Sequence, residues 1–190
     1  NQKYGPYAYS GNQSLKDKAF DIKFKLLKES YRYPSIAVGL RDIAGTGIFS
    51  SEYFLASKRF GNFDFTTGVG WGLLGSEGGL SSPLAFLDDS FKARSASFIQ
   101  GGTFTYQDWF SGDAALFGGV EYDLKKYGLR FKLEYDTSNP DINPLNPFPV
   151  SSRFNLGMNY YLSDSFNMGV AFERGQVFRV SFSLKGDFIK

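Results

Sequence analysis

Apolar and polar residues take turns along most of this chain. Phe20, Ile22, Phe24 and Leu26 alternate with Asp21, Lys23 and Lys25, and Ile36, Val38 and Leu40 with Ala37, Gly39 and Arg41. Leu116, Val120, Tyr122 and Leu124 alternate with Ala115, Gly119, Glu121 and Asp123; Leu129, Phe131, Leu133 and Tyr135 with Arg130, Lys132, Glu134 and Asp136. Three further runs follow: Phe154 to Tyr160 between Arg153, Asn155, Gly157 and Asn159; Phe166 to Phe172 between Asn167, Gly169, Ala171 and Glu173; Phe178 to Leu184 between Arg179, Ser181, Ser183 and Lys185. A period of two belongs to a strand with two unlike faces. With a strand over Phe65–Leu73 and a less regular one near Glu52–Arg59, the pattern predicts about nine strands, and residues 3–10 would make a tenth. No stretch has the period of a long amphipathic helix.

The connections predict how the strands pair. Lys125–Gly128 is a tight turn, and setting Leu124 against Leu129 places Asp123 opposite Arg130 and Glu121 opposite Lys132. Opposite charges across an antiparallel pair stabilise that register by roughly 0.2–1 kcal/mol each. The same register sets Gly118 against Tyr135. Gly61 and Asn62 close another hairpin that pairs Arg59 with Asp64 and brings Tyr53 and Leu55 beside Gly70 and Gly68; which face of 52–59 is which stays open. Ser163–Ser165 and Arg174–Gln176 close two more. Two connections are long, residues 76–113 and 137–151, the second with four prolines that forbid a central strand. With none or two strands inside 76–113, both long loops fall on one rim and the short turns on the other, the habit of outer-membrane barrels.

Alternation does not say which face is inside. In a soluble barrel or sandwich the Phe/Leu/Val face is buried; in a membrane barrel it meets lipid and the charges line the lumen. Three features favour the membrane: strands read as about nine to eleven residues long, a polar face crowded with small residues, and Tyr and Phe gathered near strand ends, where an interfacial belt would lie. The expected fold is therefore all-β, an antiparallel transmembrane β-barrel. Residues 1–190 form a single barrel domain or a fragment of a larger one. A soluble β-barrel binding protein is the alternative.

Composition narrows the chemistry. The 190 residues include no cysteine and no histidine, which removes thiolate sites, most zinc sites and every histidine-based triad. A net charge of +2 gives no reason to expect nucleic acid. Aromatics reach 18%, beside 22 glycines, a mixture typical of outer-membrane barrels. No apolar run is long enough for a membrane helix. The chain starts at Asn without a visible leader and is read as mature, processed or excised from something longer. Gly70-Trp-Gly72-Leu-Leu-Gly75 fits a dinucleotide fingerprint, yet glycines and a proline follow where the phosphate-binding helix must start.

Asp21, Lys23, Lys25, Arg41, Glu121, Asp123, Arg130, Lys132, Glu134, Arg153, Glu173, Arg179 and Lys185 share the polar face and are the candidate lumen-lining residues. They would line a hydrated path for a glycan, or else pair with one another and plug or stiffen the barrel. Glu121 and Asp123 stand about 7 Å apart on one strand face, near glycosidase spacing, but a basic partner opposite each would leave no general acid, so no enzyme is expected. Phe104, Tyr106, Trp109 and Phe110 in the long loop could stack on sugar rings; a hydrophobic plug in the barrel mouth is the competing reading. No cofactor or metal is called for.

The stretch "IAVGLRDIAGTGIFSSEYFLASKRFG" from Ile36, with "RDIAGTGIFSSEY" its most specific element, resembles the YjbH-type exopolysaccharide-biosynthesis proteins of Gram-negative outer membranes. So do "FDFTTGVGWGLLG", "AALFGGVEYDL", "GLRFKLEYD" and "ERGQVFRVSFSLKGDF". The similarity runs from about residue 18 to the end. It implies a non-enzymatic outer-membrane β-barrel component of polysaccharide export, or a plugged scaffold that docks partners of that machinery. Its implied partners are outer-membrane lipid, polysaccharide, and other export proteins or further segments of a longer chain. The ending Asp187-Phe-Ile-Lys190 departs from the usual terminal aromatic of outer-membrane barrels.

Overall fold

The computed structural model describes residues 19–43, 49–95, 106–139 and 150–186. Nine strands form one antiparallel sheet: β1 (Ile22–Leu27), β2 (Ser35–Arg41), β3 (Ser51–Phe60), β4 (Phe63–Gly70), β5 (Ala115–Leu124), β6 (Leu129–Tyr135), β7 (Phe154–Tyr161), β8 (Phe166–Glu173) and β9 (Val177–Leu184). Each pairs with its sequence neighbours, in the order β1 to β9. Short connections dictate this meander, because a tight turn can only return the chain alongside the strand it has just left. Residues 3–10 lie outside the described residues. Among the described residues β1 and β9 are not paired with each other, so the sheet is all-β and antiparallel with two open edges and is not closed into a barrel. A twisted meander closes only when its first and last strands meet.

The charge-matched registers are present. Leu124 faces Leu129, Asp123 faces Arg130, Glu121 faces Lys132, and Gly118 faces Tyr135. Arg59 faces Asp64, with Tyr53 and Leu55 against Gly70 and Gly68. Gly61 supplies the positive φ (59°) of the two-residue β3–β4 turn, which a side chain would strain. One register slips: Lys25 faces Ala37 but Leu27 faces Ile36, so a bulge at Leu26 interrupts the alternation of β1.

Strand lengths also differ from expectation. Only β3 and β5 reach ten residues, and the other seven have six to eight. The strand expected over Phe65–Leu73 stops at Gly70. Backbone bonds from Trp71 N–H to the Glu52 carbonyl and from Leu73 N–H to the Ser50 carbonyl still hold the chain to β3. Gly72 then turns left-handed (φ 62°) against the Ser50 carbonyl, and Gly72–Gly75 coils into a short 3-10 turn. Residues 76–95 and 106–113 add no strand; Leu80 makes one isolated bridge to Ala114. Both long connections therefore leave from the same rim, together with 42–50 and 174–176.

The apolar face is convex and bare. Phe24, Phe65, Leu116, Leu156 and Phe178 are all exposed, and Leu184 reaches 78%. Only Ala37, Trp71, Ala114 and Ala115 are buried apolar residues among those described, so no dry centre exists. The charged face is the concave one. Residues from β1, β3, β5 and β6 wall a single cleft there, which requires the sheet to curl around it.

Candidate functional site

The concave wall carries a lattice of ion pairs near the short-turn rim. Asp123 accepts from Arg130 Nε at 2.5 Å, and Arg59 reaches both Asp64 (3.0 Å) and Asp123 (3.5 Å). Glu121 is held by Lys132 at 2.6 Å and Arg130 at 3.3 Å. Three cations and three carboxylates thus neutralise one another across β3 to β6. Glu121 and Asp123 thus each face two cations. Glu173 pairs with Arg179, and Asp21 lies 3.9 Å from Arg41. Glu134 accepts the Asn155 amide at 3.2 Å. Lys23, Lys25 and Lys185 have no carboxylate partner among the described residues.

Arg153, expected in the lumen, reaches up to the long loop and pairs with Glu77. That contact belongs to a cap over the mouth. The coil at Gly72–Gly75 turns Leu74 back onto the concave side, where its Cβ lies 2.6 Å from the place a side chain on Gly70 would take. Thr137 Oγ1 donates to the Leu74 carbonyl at 2.8 Å, and the Asn139 N–H donates to Ser76 Oγ at 2.7 Å. Asn139 also donates to Glu77. That bond, and then Arg153, hold the Glu77 carboxyl below its ordinary pKa. Leu73 and Leu74 line the cleft at this rim.

The aromatics go elsewhere. Phe110 lies against the convex face, its ring 5.2 Å from Phe54 and 5.4 Å from Trp71, and Trp71 in turn is 6.1 Å from Phe54. Phe110, a candidate for glycan stacking or a plug, therefore packs on the side of the wall opposite the cleft. Its neighbour in this cluster is a buried charge pair. Glu52 points outward, only 2% exposed, and accepts Arg94 Nη1 at 2.7 Å, Arg94 Nη2 at 3.0 Å and the Phe110 N–H at 3.0 Å. The last of these bonds ties down Phe110 at φ 58°, a conformation bulky residues avoid. Tyr106 is exposed on a short 3-10 turn, Trp109 is half-buried, and Phe104 lies outside the described residues.

The irregular strand 52–59 now has a reading. Tyr53, Leu55, Ser57 and Arg59 face the concave side, while Glu52, Phe54, Ala56, Lys58 and Phe60 face out. Its outward charges are met at the ends: Glu52 by Arg94, and Lys58 by Glu29 at 3.6 Å. Tyr53 and Phe117 were missed as concave residues because they are apolar, and the usable signal was the row of glycines opposite them. Gly39 underlies the Tyr53 ring, and Gly68 and Gly70 underlie Phe117. The fingerprint-like glycines thus give room to neighbouring side chains and a turn, not to a phosphate.

The family described as exopolysaccharide biosynthesis protein YbjH, under the heading YjbH, matches residues 1–190. A protein of Escherichia coli (strain K12) described as an uncharacterized lipoprotein, YjbH, is 44% identical over 181 residues, covering 95% of this chain and 26% of that protein. The chain thus spans about a quarter of the length of that curated relative. No solved structure matches. With the family match running the full length and the resemblance at Arg41–Tyr53 part of it, the chain belongs to the YjbH exopolysaccharide-biosynthesis family.

Proposed function

We propose that this chain forms wall of an outer-membrane β-barrel that serves exopolysaccharide export without catalysis. Its partners on this reading are membrane lipid outside, polysaccharide inside, and further strands from a longer chain or from the export machinery. The carrying observation is the orientation of the faces, with bare aromatic and aliphatic side chains outward and paired charges inward. Strands about 4.8 Å apart and about 20 Å long make a convex face on the order of 800 Å². Water tolerates apolar patches of only a few hundred Å² on a soluble monomer, so this face calls for an apolar cover. The family's description supplies the polysaccharide, and the relative's description as a lipoprotein is compatible with a membrane address.

A second reading, a plugged scaffold that conducts nothing, draws on Leu73 and Leu74 in the mouth and on the neutralised charge lattice. Planar-bilayer recording of the full-length gene product separates the two. A steady current that polysaccharide blocks supports the conduit. Insertion with no current supports the scaffold. Failure to insert into any bilayer, with good solubility free of detergent, overturns both.

A further inference from the structure

The cleft at the long-loop rim has features that the conduit reading leaves unused. It encloses about 760 Å³, within the range of small-molecule sites. Its floor is aromatic. Tyr53 lies on Gly39 and Phe117 on Gly68 and Gly70, the two rings edge to face with centroids 6.1 Å apart. The Tyr53 ring, resting on Gly39, turns its other face to the cleft, and Phe117 stands perpendicular to it. Aromatic faces are electron-rich and attract the slightly positive C–H groups that a pyranose presents on its flat side.

The cleft's charges are unequally occupied. Asp21 accepts the Asp42 N–H at 3.0 Å and lies by Arg41, and Asp136 accepts both the N–H and the hydroxyl of Ser138. Lys23 and Arg174 also line the cleft, and no carboxylate among the described residues pairs with either. Among the described residues Glu134 meets only the neutral Asn155 amide. Among the described residues two cations here thus lack a carboxylate, while one carboxylate can accept from hydroxyl groups.

Resting on the export reading, we infer that this cleft is a binding subsite for acidic saccharide. A sugar ring stacks on Tyr53 beside the edge of Phe117, its carboxylate meets Lys23 and Arg174, and a neighbouring hydroxyl donates to Glu134. The site selects uronate-type residues over neutral ones as the chain passes the mouth.

The test uses the full-length gene product in detergent micelles, titrated calorimetrically with oligogalacturonate and with maltohexaose. Oligogalacturonate should bind more tightly, and added salt should weaken that preference through screening. Tyr53→Ala should weaken both sugars by about tenfold or more. The double variant Lys23→Gln/Arg174→Gln changes exposed or half-buried groups and should erase the preference while leaving maltohexaose binding in place. Unchanged oligogalacturonate affinity in the double variant, or no binding of either sugar by the parent protein, overturns the inference. Bilayer recording on the same preparation keeps the outcomes apart: a product that inserts and conducts yet binds no acidic sugar sinks the subsite alone.

Discussion

Gly68 has no space for a side chain on its concave side. The tip of the Phe117 ring lies 2.5 Å and the Phe54 carbonyl oxygen 2.6 Å from where a Cβ would stand. The ring can swing, but the backbone oxygen cannot move without disturbing the β3–β4 ladder. Gly68→Ala should therefore destabilise the protein by about 1–3 kcal/mol, read as a lower urea midpoint in detergent. Glu77 makes a second single-residue prediction. The Asn139 amide and Arg153 hold its folded pKa below the ordinary 4.5, so its ties stabilise the cap fully at neutral pH. That contribution fades as pH falls below 4.5 and is lost beyond the folded pKa. Acid titration of stability should show this component in the parent and not in Glu77→Gln. Neither feature is visible as composition. Gly68 reads as a weak strand residue until its cross-strand partner Phe117 is known, and Glu77 reads as a loop acid until residues 139 and 153 come near.

The strands themselves were largely legible, because each carries its own period-two pattern and most turns carry their own glycines or charges. Asp123 with Arg130 and Arg59 with Asp64 give two registers outright. The strand 52–59 resisted for a physical reason: it breaks the pattern at both ends, with an outward Glu52 and Lys58 and an inward Tyr53 and Leu55. Those exceptions are satisfied by loops distant in sequence, which no local window contains. Arg94 supplies two hydrogen bonds to a carboxylate that is otherwise sealed under Trp71 and Phe110. Removing it by Arg94→Ala leaves a buried charge uncompensated and should cost roughly 3–5 kcal/mol. Limited proteolysis should then cut residues 82–112 more readily than in the parent. Glu52→Gln/Arg94→Met should restore much of the loss, since it removes the stranded charge with its partner.

At the scale of the whole molecule, the orientation of the two faces governs what the wall can be. Val170 on β8 faces out and Ser181 on β9 faces in, near the middle of adjacent strands. If lipid covers the convex side, Val170→Arg should cost about 2–4 kcal/mol and impair assembly into liposomes, whereas Ser181→Arg should assemble normally. Equal assembly of both variants would mean that something other than lipid covers the convex side. Closure was the part least open to sequence reasoning, because it depends on which strands meet at the seam and not on any one strand's pattern. The open edges carry an arithmetic of their own. In a meander of nine strands the first and last run in the same direction, so joining them directly would create a lone parallel seam in an otherwise alternating cylinder. A cylinder alternating all the way round needs an even total, so on the barrel reading an odd number of staves must join these nine.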